Sequence, residues 1–225
     1  MKTRSKRYKS SLDKKSSDES QPINNAIEIL GTFDSAKFDE SVEVSISLGV
    51  DPKQSSHAVR GTVNLPHGSG KEVKVLVFTE NPEEALAEGA DFAGLEELVK
   101  KIKEGWVDFD VALSTTSAMK EVRSVARVLG PRGLMPTPKA GTVTDDLASA
   151  IKEVKSGRVE FKMDKTGALS VLVGKRSFEP AKLAENAEAA ILAVQNSRPE
   201  GFKGKFIKRV HISSTMSPSI LLDNI

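Results

Sequence analysis

Two kinds of apolar pattern divide this sequence into an outer part and an inner part. Near the two ends, SVEVSISL (41–48) and RVEFKM (158–163) place apolar residues at every second position. Half-buried strands of an open sheet show this alternation. ALSVLV (168–173) and FIKRVHIS (206–213) are further strand candidates. The outer part is therefore predicted to be an antiparallel-rich α+β domain.

The inner part has short, nearly continuous apolar runs, VKVLVF (73–78) and FDVAL (109–113). Helical patterns accompany them at about 83–104, 116–129 and 145–155. Strands that are buried on both faces and alternate with helices are typical of a parallel sheet. The inner part is therefore predicted to be a three-layer α/β domain.

Together the patterns predict two domains. The α/β domain, residues 67–156, is inserted into an α+β domain formed by residues 1–66 and 157–225. The chain crosses between the domains twice, near 66–70 and near 155–157. Because the two crossings are expected to be adjacent, we predict a hinge there.

Composition excludes several classes of protein. A chain of 225 residues, 38% hydrophobic and 28% charged, is long enough and apolar enough to bury a substantial core. It contains no cysteine, so disulfides and thiolate zinc sites are excluded and a reducing cytoplasm is expected. The basic start is not followed by the apolar stretch of a signal peptide, and no run approaches a membrane span. The first twenty residues are expected to form a mobile arm or one loosely docked helix.

Charge is distributed unevenly between the two parts. Residues 1–66 carry 10 Lys+Arg against 9 Asp+Glu, and residues 157–225 carry 11 against 7, which sums to +5; residues 67–156 carry 12 against 15, or −3. No acidic residue occurs from Gly201 to Leu222. Either the outer part faces a polyanion, or its basic residues form a solvated face.

Candidate catalytic and metal sites do not complete their patterns. PHGSGK (66–71) resembles a phosphate-binding loop, but Leu65 stands where that motif needs Gly and Glu72 where it needs Ser or Thr. The histidines show no metal-ligand spacing. We expect no catalytic residue, metal or cofactor. A nucleotide-binding or phosphoryl-transfer enzyme built on the α/β insert is the alternative.

The loop GPRGLMPTP (130–138) is too rich in Gly and Pro for a helix or a central strand. It fits two interpretations. Glycine N–H groups beside Arg132 and Lys139 could cradle phosphate. Alternatively, the prolines fix a connection between two elements of a compact domain.

Three clusters outside the acidic insert suit RNA. KMDKTGALSVLVGKRSF (162–178) is a predicted hairpin with basic residues at both strand ends, and AKFDES (36–41) and STMSP (214–218) add hydroxyl groups. Lysine, arginine and small hydroxyl residues suit phosphates and 2′-hydroxyls. Phe38 and Met216 fit either core packing or contact with bases. The clusters together favour RNA binding.

LGPRGLMPTPKAGTV (129–143) closely resembles the signature of the L-one family of bacterial large-subunit ribosomal proteins, which belong to the mobile stalk beside the tRNA exit site. The resemblance covers nearly the whole chain. It continues through KRY (6–8), AKFDESVEV (36–44), VRGTVNLPHGSGK (59–71), GWVDFD (105–110), GRVEFKMDKTGALSVLVGKRSF (157–178) and STMSPS (214–219).

The resemblance implies RNA binding without catalysis, by an α+β domain that carries an α/β insert on a hinge. Members of the family bind large-subunit ribosomal RNA and help to release deacylated tRNA from the exit site. They also repress translation of their own mRNA. The implied partners are therefore that rRNA, exit-site tRNA and the chain's own mRNA, with a monomer in the ribosome and no membrane contact.

Carried over to this chain, the family motifs assign rRNA contacts to Lys37, Phe38, Ser41, Lys162, Asp164, Lys165, Thr166, Gly167, Lys175, Ser177, Thr215, Met216 and Ser217. The family more often has Thr at position 41 and Gly at position 217. If that glycine serves a positive φ or a close RNA approach, Ser217 requires a local shift. In this family the Gly-Pro loop lies away from the rRNA contacts. Candidate tRNA contacts are therefore Arg132 and Lys139, with Lys53 and Arg60 near the crossing.

Overall fold

The computed structural model describes residues 4–15, 19–52, 57–200 and 202–223. Its helices and strands are, in chain order, α1 (Lys6–Lys14), α2 (Ile23–Thr32), β1 (Ser41–Leu48), β2 (Arg60–Asn64), β3 (Val75–Phe78), α3 (Pro82–Ala87), β4 (Phe92–Gly94), α4 (Glu96–Lys103), β5 (Val111–Ser114), α5 (Met119–Val122), α6 (Ala126–Leu129), α7 (Leu147–Ser156), β6 (Arg158–Lys162), β7 (Ala168–Lys175), α8 (Pro180–Asn196), β8 (Ile207–Ser214) and β9 (Ile220–Leu221). Short 3-10 turns are formed by Arg123–Val125 and Pro138–Ala140.

The chain divides into two compact units, Met1–Gly70 with Val159–Ile225 and Lys71–Arg158. The first unit ends at Gly70, within the crossing expected near 66–70, and resumes at Val159, just past the crossing expected near 155–157. Residues 67 and 68 stay with the first unit because the His67 N–H donates to Oδ1 of Asn186 (3.1 Å) and the Asn186 amide donates to the Gly68 carbonyl (3.0 Å). Arg158 stays with the second unit, where its guanidinium donates to the Ala140 carbonyl (2.9 Å).

The first unit is built on a four-stranded sheet of order β7-β1-β8-β9, in which neighbouring strands are antiparallel. β1 buries Val42, Val44, Ile46 and Leu48, and the residues between them lie on the opposite, more open face. Helices α2 and α8 cover this core, to which Val63 of β2 and Phe161 of β6 also belong. Strands β2 and β6 form a separate pair. The predicted antiparallel α+β architecture is confirmed.

The second unit has a three-stranded sheet of order β4-β3-β5 with parallel neighbours. β3 is buried on both faces. Val75 and Val77 enter a core shared with α3 and α7, whereas Leu76 and Phe78 enter a core shared with α4, α5 and α6. Two cores on opposite faces of one sheet make three layers, as the sequence predicted.

Some local predictions differ from the structure. The helical pattern predicted over about 83–104 is interrupted by β4, a strand too short to show any periodicity. Near the start of the chain, α1 is helical, and the Ser5 hydroxyl accepts from the Tyr8 N–H (3.2 Å) at its first turn. The first twenty residues were expected to form either a mobile arm or one loosely docked helix. Among those that the structure describes, Lys6–Lys14 form a helix.

The Gly-Pro loop packs onto the second unit. Leu134 and Met135 contact the core that contains α5 and α6. The Gly133 N–H donates to the Gly130 carbonyl, and the Leu134 N–H donates to the Leu129 carbonyl (both 3.1 Å). Because these N–H groups are already bonded, they are not presented to phosphate. The structure favours the interpretation that this loop is a fixed connection.

Candidate nucleic-acid interface

Three loops meet at one end of the four-stranded sheet, one before β1 and the others after β7 and β8. Because β1 is antiparallel to both neighbours, Ser41 lies beside Lys175 and Val42 beside Ser214. Lys175 Nζ donates to Ser41 Oγ (2.9 Å), and Thr215 Oγ1 accepts from the Ser41 N–H (3.0 Å). We call this region the sheet-end surface. Its members are Lys37, Phe38, Ser41, Lys175, Ser177, Thr215, Met216 and Ser217.

The large apolar side chains of the sheet-end surface point into solvent. Phe38 is 54% exposed and Met216 is 48% exposed, and the neighbouring Lys37 is also exposed. Core packing, one of the two interpretations of Phe38 and Met216, is therefore excluded. An exposed ring and a thioether beside a lysine provide flat apolar area next to positive charge, which suits a nucleotide.

Besides Ser41, which accepts from Lys175, the two other serines of the surface are held by local hydrogen bonds. Ser177 Oγ donates to the Asp39 carboxylate (2.7 Å), and Ser217 Oγ accepts from the Ser214 N–H (2.9 Å). Among the described residues, only glycines have a positive φ. Ser217 therefore occupies ordinary backbone conformation, and its hydroxyl closes the turn. The backbone therefore needs no local shift to accommodate serine at position 217, because no positive φ is required there.

A buried carboxylate lies beneath the sheet-end surface. Glu40 is 1% exposed. Its Oε2 accepts from Ser214 Oγ (2.5 Å) and from the Met216 N–H (3.2 Å), and its Oε1 accepts from the Ala36 N–H (2.7 Å). A buried charge is tolerated when hydrogen bonds satisfy it, and this carboxylate has three.

Arg176 lies beside this carboxylate, with Nη1 3.8 Å from Glu40 Oε1. Its Nη2 donates to the carbonyls of Gly31 (3.2 Å), in the last turn of α2, and of Phe33, just after that helix. Burial would raise the pKa of Glu40. Hydrogen bonds from Ser214, Ala36 and Met216, together with the Arg176 charge, outweigh burial and hold that pKa below its ordinary value.

Sequence analysis did not select Glu40, and it counted Arg176 only among the basic strand-end residues that suit RNA. The sequence did contain a signal for Glu40, because this position is in phase with Val42 and Val44, the residues that β1 buries. A carboxylate in the buried phase of a strand needs partners, and such partners can indicate a site. No local signal shows that the Arg176 guanidinium turns inward, toward Glu40 and the Gly31 carbonyl.

The hairpin predicted over 162–178 does not form, because β6 pairs with β2 whereas β7 pairs with β1. We keep the name hairpin turn for Lys162–Gly167, which joins β6 to β7 and lies at the opposite end of the four-stranded sheet. β7 carries the chain from Ala168 to Lys175, seven steps of about 3.3 Å, so the two ends are about 23 Å apart. Asp164 Oδ1 accepts from the N–H groups of Thr166 (2.8 Å) and Ala168 (2.9 Å). The Thr166 hydroxyl also donates to Asp164 Oδ1 (2.7 Å). This side-chain bond, followed by the backbone bonds, lowers the pKa of Asp164 and ties its carboxylate to the turn. Predicted RNA contacts therefore lie at two separate places.

In the hairpin turn, the exposed groups that suit RNA are the side chains of Lys162, Lys165 and Thr166. Gly167 is buried and has a φ of 82°, which lets the chain turn back into β7. Asp164 is an acceptor that the turn already occupies, so its role is to shape the loop rather than to bind phosphate.

The candidate tRNA contacts are distributed over both units. Arg60 belongs to the first unit and pairs with Glu160 (2.5 Å). Arg132 is exposed in the Gly-Pro loop of the second unit, and Lys139 lies in the 3-10 turn that follows. Lys53 lies outside the described residues. No observation on these residues assigns them to tRNA.

The segment PHGSGK does not form a phosphate-binding loop. A helix must follow such a loop, but here the next element is the strand β3. The lysine that would hold phosphate, Lys71, instead pairs with Asp110 (Nζ to Oδ1, 2.5 Å). The enzyme alternative therefore loses this loop candidate.

The described residues contain no group of three or more His, Cys, Asp or Glu side chains arranged to hold a metal ion. Within the same residues, every helix is too short or too polar to cross a membrane.

Comparison with known proteins gives matches along the chain. The model of the Ribosomal protein L1p/L10e family matches residues 30–218. Large ribosomal subunit protein uL1 of Kosmotoga olearia is 51% identical over 226 residues, which cover 100% of this chain and 98% of that protein. Proteins of the same name from Protochlamydia amoebophila (51% identity, 89% of this chain and 86% of that protein) and Thermus thermophilus (47% identity, 97% and 96%) are also similar.

Proposed function

This chain belongs to the ribosomal protein L1p/L10e family, and from that premise we propose that its sheet-end surface binds ribosomal RNA of the large subunit. The observation that carries the proposal is the meeting of three loops at one end of the sheet. Residues from three distant segments of the chain form one exposed surface with lysines, hydroxyls and two apolar side chains. A ribosomal protein acts in the cytoplasm, the predicted compartment.

Each type of side chain has a distinct role in this proposal. Lys37 and Lys175 contact phosphates, and Lys175 is already oriented by its hydrogen bond to Ser41. Phe38 and Met216 stack on bases or riboses. Ser177 contributes a hydroxyl near 2′-hydroxyl groups. The surface therefore combines positioning contacts with contacts that depend on the shape of the RNA.

The hairpin turn provides a second contact in our proposal. Lys162 and Lys165 lie about 23 Å along β7 from the sheet-end surface. A short segment of RNA backbone that contacts the sheet-end surface cannot also reach the hairpin turn, unless it runs along the whole length of the sheet. We infer that the RNA is folded, and that it presents two backbone segments to the two ends. The spacing of these segments then adds to specificity.

Three further roles belong to this proposal. Exit-site tRNA contacts the second unit through Arg132 and Lys139, with Lys53 and Arg60 contributing from the first. The chain's own mRNA binds the sheet-end surface by folding into the shape of the rRNA site, which represses translation. The protein acts as a monomer in the ribosome, without catalysis, and the two crossings serve as a hinge.

Competition binding tests the proposal. The full chain is titrated with labelled large-subunit rRNA in the presence of unlabelled rRNA or poly(U), at two salt concentrations. We expect the rRNA to compete at least about a hundredfold better than poly(U), because specific sites commonly exceed nonspecific ones by larger factors. Binding to rRNA should also weaken less steeply with salt. If rRNA and poly(U) competed equally well and showed the same dependence on salt, the surface would be only a nonspecific basic patch and the proposal would be wrong.

A further inference from the structure

In the part of the chain that the structure describes, Glu40 is the only ionisable residue that is buried. Its position is in phase with Val42 and Val44, so an apolar side chain would suit the pattern of the strand. Replacing buried ion pairs with apolar residues often leaves stability unchanged or raises it. Stability alone therefore does not explain the carboxylate.

The partners of Glu40 share one property, which is that each lies in, or directly at the start of, a loop of the sheet-end surface. The Ala36 N–H belongs to the loop that carries Lys37 and Phe38. Ser214 is the last residue of β8, and Met216 lies in the loop that follows it. The third loop, after β7, contributes Arg176 between Lys175 and Ser177. A single carboxylate thus contacts all the loops that supply the surface.

We propose that Glu40 is a positioning residue, whose carboxylate holds the three loops in their RNA-binding arrangement before RNA arrives. This inference rests on the proposed function of the sheet-end surface. Loops that are ordered in advance lose less entropy on binding. When the binding arrangement is populated in only about a tenth of the molecules, the apparent affinity falls about tenfold.

Glu40→Gln in the full chain tests the inference. Glutamine keeps the size of the side chain but replaces one acceptor oxygen with an NH2 donor, which must face another donor in this network. We expect the affinity for large-subunit rRNA to fall about tenfold. Affinity for poly(U) should stay unchanged, because it depends on exposed lysines. A folded variant with unchanged rRNA affinity, or with an equal loss on poly(U), would overturn the proposal.

Asn186→Ala is the matched control. Asn186 is also buried in the first unit, and its side chain bonds to the backbone of His67, Gly68 and Val173, all outside the three loops. We expect this variant to lose stability without losing rRNA affinity. If it lost as much rRNA affinity as Glu40→Gln, general destabilisation would explain both results and the positioning role would be wrong.

Amide hydrogen exchange of the free protein gives a readout that needs no RNA. In Glu40→Gln, the amides of Ala36 and Met216 should exchange faster than in the wild type, and Asn186→Ala should leave them protected. If Glu40→Gln does not fold, Ser214→Ala removes one hydrogen bond to Glu40 and should show a smaller change in the same direction. Unchanged exchange in both variants would contradict the inference. Failure of the wild type to prefer rRNA over poly(U) would instead contradict the proposed function.

Discussion

Removing the exposed apolar side chains of the sheet-end surface should separate RNA binding from folding. Phe38 is 54% exposed and Met216 is 48% exposed, so each contributes only about half of its surface to the fold. Truncating either one to Ala should lower the free energy of unfolding by about 1 kcal/mol or less. Stacking of a base on an aromatic ring contributes about 1–3 kcal/mol to binding, so Phe38→Ala should weaken rRNA binding by about 5- to 150-fold. Met216→Ala removes a thioether rather than a ring, so it should weaken rRNA binding less than Phe38→Ala does.

Filter binding of Phe38→Ala and Met216→Ala to large-subunit rRNA and to poly(U) measures the effect, and urea denaturation measures stability in parallel. Leu192→Ala is the control, because Leu192 is 57% exposed on α8 in the same unit but lies outside the sheet-end surface. We expect its rRNA affinity to match that of the wild type. If Phe38→Ala and Met216→Ala bound rRNA as the wild type does, direct contact would be refuted.

Two further predictions concern the inserted unit and pH. Replacing residues 71–158 with a short flexible linker keeps the whole sheet-end surface and the hairpin turn, so the affinity for rRNA should stay within about twofold of the wild type. If a variant with a folded CD spectrum lost most of its rRNA binding, the assignment of RNA binding to the first unit would be contradicted. The folded-state pKa of Glu40 lies below its ordinary value of 4.5, so the ionised carboxylate stabilises the fold above that pH, and this contribution is lost as pH falls through the folded-state pKa. Urea titrations should therefore show that the difference in unfolding free energy between the wild type and Glu40→Gln becomes smaller in acid, because the facing Arg176 stays charged at every pH tested. A difference that does not depend on pH would indicate that Glu40 is not ionised in the folded protein.

The architecture of the two larger sheets was predictable because burial leaves a local pattern. Alternation identified β1 and β6, and continuous apolar runs identified β3 and β5. β2, β4 and β9 were missed: β4 and β9 are too short for any periodicity, and β2 fully buries only Val63, so it shows no alternation. The precise crossings also depended on tertiary bonds, such as those of Asn186, which no local pattern encodes.

The residues of the candidate interface were selected from the sequence, but their arrangement was not. Contact between Ser41, Lys175 and Thr215 depends on the pairing of strands far apart in the chain, and strand register is not visible in the motifs themselves. The position of the hairpin turn could have been predicted, because the eight residues of β7 lie between Gly167 and the loop that follows Lys175. Glu40, which directly precedes β1, was missed although it is in phase with the buried residues Val42 and Val44 of that strand.

Hydroxyl-radical footprinting of large-subunit rRNA with the full chain tests the central claim most directly. If the loops at the sheet end form a ready-made RNA-binding surface, the wild type should protect one compact, folded region. Met216→Ala should weaken protection at a defined subset of those nucleotides, and Leu192→Ala should leave it intact. Diffuse protection along the rRNA, or a footprint that Met216→Ala does not alter, would contradict the account.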